Sequence, residues 1–281
     1  APRRAFSLKM SYMRTILQYV MDSGKNAVTN FEFPAEQIVS EEELDKHNFD
    51  EIILNRFKPY IGKNYQVIAQ EKKINISKNP KNKFAIIANA IVATEKCSNV
   101  NRSEEFIKAG LTMKTIRVQH NGNIKEAMSF ENIDYMEVAE CDNWYESRLY
   151  ELFSSRFMFV IFKEQTANKK DYILDNVFFW TMPQEDLECA EIYWAHIRKN
   201  VLNDHFSEKY WWKGKDKKKF HVRPKAQKST DLVPTPSGKL AKKFCYWFNN
   251  DYVSAWKEHL TLMKQFGTTN GNLLPNIKML L

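Results

Sequence analysis

The 281 residues hold only four cysteines, Cys97, Cys141, Cys189 and Cys245, with no CxxC pair and no histidine nearby at zinc spacing. That scatter argues against a disulfide framework and against a structural zinc site, and free thiols in a reducing compartment are expected. No apolar run approaches the roughly 20 residues of a membrane-spanning helix, and no charged start leads into a signal core, so a soluble, unsecreted protein is expected. No internal repeat is visible. Disorder is excluded by what is present: 43% of the residues are hydrophobic and 14% aromatic, seven of them Trp, enough to bury a substantial core.

Charge is the first positive signal. The formal net charge is +8 and the pI about 9.1, a field that draws polyanions, nucleic acid first and an anionic membrane second. The charge concentrates in "EKYWWKGKDKKKFHVRPKAQK", where Lys209, Lys213, Lys215, Lys217, Lys218 and Lys219 lead into Arg223 and Lys225, interleaved with Tyr210, Trp211 and Trp212. A lysine run alone equally describes a solvated loop. Aromatic rings beside it favour a phosphate-contacting surface, because cations give salt-dependent affinity and rings pack or stack.

The hydrophobic period changes along the chain. From Phe6 to Met21 apolar residues recur at three- and four-residue steps, one helix face. After a linker with Gly24, Asn26 and Pro34, Ser40 precedes "EEELDKHNFDEIILNRF" as an N-cap with early acidic residues that suit a helix dipole. "FAIIANAIVAT" (Phe84 to Thr94) predicts a further helix. Leu111 to Val118 then alternates as a strand, and Asn121-Gly122 signals a hairpin turn. "RFMFVIF" (Arg156 to Phe162) and "DYILDNVFFWT" (Asp171 to Thr181) read as buried strands joined by a turn at Asn168, Lys169 and Lys170, and Glu185 to Val201 returns to helical spacing. The order implies a mixed α/β fold, a central mixed sheet flanked by helices, with residues 1–100 mainly helical and 101–265 carrying the sheet.

"EEFIKAGLTMKTIRV" (Glu104 to Val118) has the outline of a metal-dependent nuclease site. Such sites use an upstream carboxylate, then Glu-x-Lys or Asp-x-Lys on a strand, because residues i and i+2 share a face and converge on one phosphate. The carboxylates hold Mg²⁺ and the lysine stabilises developing charge. Here Glu105 is the candidate upstream acid and Lys114 the lysine, but the second carboxylate position is Thr112, whose neutral hydroxyl is a poor Mg²⁺ ligand. A lysine on a strand is otherwise most often simply exposed.

Around this strand the sequence resembles a known family. "AGLTMKTIRV…NIKEAMSF" is similar to the strand and hairpin of MutH, the mismatch-repair nicking endonuclease, and of the Sau-type type II restriction endonucleases that cut at GATC. "FHVRPKA" (Phe220 to Ala226) resembles that family's "HxRPKA" motif, "CYWFNNDYV" (Cys245 to Val253) its following aromatic segment, and "RRAFSLKMSYM" the start of the Sau-type C-terminal domain. The tail "GTTNGNLLPNIKMLL" has no counterpart. The resemblance implies a restriction-endonuclease-like (MutH-like) fold over residues 1–281 as a single domain, the C-terminal fragment of a longer bacterial, cytoplasmic restriction enzyme. It makes Glu105, Thr112 and Lys114 a degenerate catalytic remnant with no metal, so that this domain takes no cofactor while the parent enzyme uses Mg²⁺. It makes Arg223, Pro224 and Lys225 a major-groove reading loop, with Trp247 or Tyr246 beside the adenine; Lys217, Lys218 and Lys219 of the basic run, and Lys114 beside its missing acid, are expected on phosphates. Arginine and lysine suit guanine O6 and N7, and proline fixes the loop. His221 is read as a support for the loop.

The function implied is binding of double-stranded DNA at GATC by a non-catalytic, allosteric effector domain, whose partners are the parent's N-terminal catalytic domain and, through DNA-induced dimerisation, a second copy; no membrane is involved. An active Mg²⁺-dependent GATC endonuclease with a rearranged site is the alternative, and a non-specific nucleic-acid or protein interaction module is the alternative of another class.

Overall fold

The computed structural model describes residues 10–23, 33–76, 81–94, 97, 99–124, 127–167, 171–225 and 231–256. The first turn of the Phe6–Met21 helix, Gly24 and Asn26 of the linker, the turn at Asn168 to Lys170, Ala226 to Lys228 and the 266–281 tail lie outside the described residues. In chain order the elements are α1 (Met10–Ser23), α2 (Glu41–Lys46), α3 (Phe49–Phe57), α4 (Tyr65–Glu71), α5 (Lys83–Val92), α6 (Glu104–Ala109), β1 (Leu111–Val118), β2 (Met128–Asn132), α7 (Tyr135–Glu140), α8 (Arg148–Ser154), β3 (Arg156–Glu164), β4 (Tyr172–Thr181), α9 (Gln184–Leu202), β5 (Phe220–Pro224), β6 (Leu232–Pro234), β7 (Leu240–Lys242) and β8 (Phe244–Phe248). The fold is mixed α/β, sheets with helices around them, as the sequence pattern requires. Two compact units emerge, Ala1–Asn123 with Asn143–Glu191 and Ile124–Asp142 with Ile192–Leu281. No helix among the described residues is long and apolar enough to cross a membrane.

The first unit is organised on a three-stranded sheet of order β1-β3-β4, with β1 parallel and β4 antiparallel to β3. Being central, β3 is covered on both faces, which is why "RFMFVIF" shows no alternation. Met158, Val160 and Phe162 join the core formed by Ile53, Phe57, Ile68, Phe84, Ile87 and Phe106. On the opposite face Phe157 and Phe159 stack at 5.7 Å and meet Trp180 of β4. The free edge of β1 is closed by a side chain: Asn101 Oδ1 accepts the Met113 N–H at 2.6 Å and its Nδ2 donates to Met113 O at 3.3 Å. A carboxamide thus stands where another strand's peptide would pair.

Two local expectations change here. The segment after Ser40 makes two helices, because Asn48 opens a second capping box with Glu51 just after the one between Ser40 and Glu43. The Asn121-Gly122 signal does give a turn, with Gln119 N–H on Asn123 O and Gly122 at φ +81°, yet among the described residues β1 and β2 do not pair across it. β1 pairs in parallel with β3, and β2 joins the other unit's sheet. The turn chemistry is local, whereas the partner was chosen by the buried run of β3, which lies far along the sequence.

The second unit is built on an antiparallel sheet of order β2-β8-β5, with the β6-β7 hairpin beside it in the chain. Phe244, Tyr246 and Phe248 of β8 are fully buried, and Phe220, Phe130, Tyr252 and Trp256 close an aromatic cluster around Phe248 at 4.4–6.0 Å between centroids. Tyr135 donates its hydroxyl to Lys242 O at 2.6 Å, and Ile133 N–H to Phe244 O, which pins α7 and its approach to β7 and β8. None of the four cysteines forms a disulfide, and Cys97 and Cys245 are buried.

Candidate nucleic-acid interface

The register of β5 on β8 sorts the expected reading residues. Phe220 lies opposite Phe248, His221 opposite Trp247, Val222 opposite Tyr246 and Arg223 opposite Cys245. Since strand neighbours alternate, His221, Arg223 and Trp247 share one face while Phe220, Val222 and Tyr246 share the other. The two aromatic candidates for the adenine therefore separate. Tyr246 is 1% exposed and faces the core, where burial first, and then Glu137, Glu131 and Asp134, push its phenol well above the usual range. Trp247 is half-buried and stands with Arg223, whose guanidinium lies 5.0 Å over its ring.

Arg223, Pro224 and Lys225 are exposed in the described part of the loop. Lys225 is tied down on both sides: its backbone N–H reaches Lys243 O at 3.1 Å, and its Nζ donates to Phe130 O at 2.9 Å. An ammonium has three N–H groups, so two remain for another acceptor. His221 is fully buried, stacked on Trp247 at 6.0 Å, and neither ring nitrogen has a hydrogen-bond partner; the Trp247 indole N–H has none either. Burial, then the charge of Arg223, brings the His221 pKa down to about 4, so the imidazole is neutral at neutral pH. Its carbonyl accepts the Tyr193 hydroxyl at 2.7 Å, which fixes the strand from α9.

The lysine-rich segment folds as a tight loop ahead of β5. Gly214–Asp216 is a 3-10 turn in which Asp216 accepts the Lys213 N–H at 2.8 Å. Lys217 sits in the left-handed region at φ +52°, a conformation that costs a side-chain-bearing residue about 1–2 kcal/mol. Lys218 lies 4.3 Å over the Trp212 ring, which in turn stacks on His196 at 4.9 Å. Lys215, Lys217, Lys218 and Lys219 are exposed. A Cβ on Gly214 would stand 3.2 Å from Arg223 Nη2 and 3.7 Å from His221 Nε2, so a larger residue here would make the guanidinium give by a few tenths of an ångström.

In the first unit, Thr112 and Lys114 share one face of β1 and both are half-buried. Glu105 stands in the first turn of α6, which Ser103 caps, but its carboxylate is engaged elsewhere: it accepts the Ile38 N–H at 2.9 and 3.2 Å and the Val39 N–H at 2.8 Å. Among the described residues no group of three or more His, Cys, Asp or Glu converges to hold a metal ion. One neutral hydroxyl and one occupied carboxylate do not fit Mg²⁺, which wants several anionic oxygens and free lone pairs.

Residues 96–191 match the family model described as the DNA mismatch repair enzyme MutH. That stretch holds Glu105, Thr112 and Lys114 and stops short of the Arg223 loop. Over 307 aligned positions the chain is also 27% identical to the type II restriction enzyme Sau3AI of Staphylococcus aureus, covering 92% of this chain. The chain is MutH/Sau3AI-like. It spans 60% of the length of that curated relative. With this likeness the mixed sheet β1-β3-β4 and its flanking helices take their place as a restriction-endonuclease-like fold, the MutH-like core of the chain. Three residues that shape the second unit's surface had no signal as site residues: Gly214, whose φ is ordinary; Tyr193, one helix position among many; and Asn249, at the end of the aromatic segment.

Proposed function

We propose that this MutH-like chain binds double-stranded DNA at GATC and serves as the non-catalytic, allosteric half of a type II restriction endonuclease. The observation that carries the reading is the exposed Arg223 guanidinium stacked on Trp247 next to a rigid, lysine-rich loop. Arg223 is the base reader, its fork matched to guanine O6 and N7; Pro224 gives the loop an apolar edge; Lys225 and Trp247 complete the reading surface. Lys217, Lys218 and Lys219 supply phosphate contacts, and Lys114 contacts a phosphate in the same role. The metal-site remnant supports binding without cleavage: Thr112 brings no charge, and the Glu105 carboxylate holds backbone. In the full-length enzyme, DNA on this domain favours dimerisation and activates a Mg²⁺-dependent N-terminal catalytic domain, a coupling of about 1–3 kcal/mol.

The test is binding to two matched duplexes, one with GATC and one scrambled, at several salt concentrations. The GATC duplex is expected to bind more tightly. Arg223→Ala should cost about 1–3 kcal/mol on GATC and relax the preference, whereas Lys218→Ala should weaken both duplexes alike and lower the salt slope. Equal affinity of the unsubstituted chain for both duplexes sinks the sequence-specific reading, and GATC-dependent nicking with Mg²⁺ that Lys114→Ala abolishes sinks the non-catalytic one.

A further inference from the structure

Asn249 is 3% exposed and follows β8 directly, at the head of the helical segment 250–256, where its carbonyl accepts the Val253 N–H at 3.1 Å. It also makes two bonds away from that helix. Its Nδ2 donates to Gly214 O at 2.9 Å, and its backbone N–H donates to Lys219 O at 2.8 Å. One buried residue thus holds both ends of the loop that presents Lys215, Lys217, Lys218 and Lys219. The same loop end that Asn249 grips, Gly214, lies beside Arg223 and His221, where an added Cβ would crowd the guanidinium at 3.2 Å. A chain of contacts therefore runs from Asn249 through Gly214 to Arg223, and from Arg223 to the Trp247 ring. The left-handed Lys217 between the two grips is the kind of backbone strain that persists only where surrounding structure imposes it.

We propose that Asn249 is the positioning residue of this surface: by closing the Gly214–Lys219 loop it holds the phosphate-contacting lysines and the Arg223 guanidinium in one preset arrangement for a duplex. The proposal rests on the DNA-binding reading above and goes beyond it in assigning what organises the site. Ordering a lysine-rich loop at the moment of binding would consume affinity, and fixing it beforehand removes that cost. Because Asn249 bonds to the backbone at Gly214 and Lys219, it sets the spacing of the lysines without itself bonding to their ammonium groups. Asn249 touches no nucleic acid itself; it acts through Gly214 and Lys219.

A double-mutant cycle tests this on the full chain, with Asn249→Ala, Arg223→Ala and the double variant titrated with the GATC and scrambled duplexes over a salt series. Asn249→Ala is expected to reduce the GATC preference about tenfold and to lower the salt slope by about one phosphate contact. In the Arg223→Ala background it is expected to change the preference less than about twofold, since the positioned group is gone. A purely structural asparagine would shift both backgrounds equally, and that result, or an unchanged slope and preference in a folded Asn249→Ala variant, overturns the proposal. If Asn249→Ala does not fold, Gly214→Val decides: it removes no hydrogen bond yet pushes on Arg223, and an unaltered preference overturns the clamp. Should the unsubstituted chain bind both duplexes equally, the GATC reading fails by itself, and the salt slope on either duplex still supports or overturns the clamp.

Discussion

His221 makes the stability of the second unit depend on pH in a way that can be isolated. Its imidazole is buried without a hydrogen-bond partner and beside Arg223, so its pKa falls from 6.5 to about 4 on folding. The group is basic, and its folded value lies below its unfolded one. Between those values the unfolded chain binds a proton that the folded chain refuses, so stability is complete above pH 6.5 and is lost as the pH falls toward 4. Between pH 7 and pH 5 the loss from this one residue is about 2 kcal/mol, and over the whole window about 3 kcal/mol. His196 shifts in the same direction, through burial first and with Lys218 and Lys199 adding to it, against its hydrogen bond to the Tyr210 carbonyl, so the whole chain loses more than the His221 share. Comparison with His221→Leu removes that background: the leucine has no nitrogen to leave unpaired and no proton to bind. Urea denaturation of both proteins at pH 7 and pH 5 gives the difference of differences. The unsubstituted chain should lose about 2 kcal/mol more than the variant over that step. Parallel losses in the two proteins would refute a neutral, buried imidazole beside Arg223.

Three further substitutions probe other parts of the fold. Glu105→Ala strips partners from the Ile38 and Val39 N–H groups and should destabilise the chain by about 2–3 kcal/mol in chemical denaturation; an unchanged midpoint would mean that the carboxylate does not hold that backbone. Lys217→Gly relieves the left-handed backbone and should raise stability by about 0.5–1 kcal/mol, and a loss would show that the Lys217 side chain contributes more than its backbone costs. Asn101→Ala unpairs both polar groups of Met113 on the edge of β1, with an expected cost of about 1–2 kcal/mol and faster amide exchange at Met113; unaltered exchange there would discount the carboxamide as a strand substitute.

The sequence announced some of these features and was silent on others for identifiable reasons. Leu111 to Val118 alternates and is the strand β1; "RFMFVIF" lacks alternation and is the strand buried on both faces; Glu185 to Val201 lies inside α9. These follow from period, a local quantity. Among the described residues β1 and β2 do not pair across the Asn121-Gly122 turn, because strand pairing is settled by partners far away in sequence. Short helices such as α6, α7 and α8 escaped notice because six or seven residues barely complete two turns of a pattern. At the candidate site, the motif around Arg223 was legible as a motif, and alternation alone separates Trp247 from Tyr246. The use of Glu105 was not legible: a glutamate ahead of a strand looks the same in sequence whether its oxygens face an ion or the Ile38 and Val39 backbone.

The engagement of Glu105 with backbone also limits what a change at position 112 could do. A Thr112→Glu change would return one carboxylate to the face of β1 that carries Lys114, but a metal centre needs a second acid, and the one at hand is fastening a distant stretch of chain. Releasing it loosens Ile38 and Val39 before any ion has been gained to offset the loss. A carboxylate at position 112 alone therefore gains no second acid, and freeing Glu105 alone costs backbone hydrogen bonds. A carboxylate that holds two backbone N–H groups is thereby withheld from any ion on the neighbouring strand.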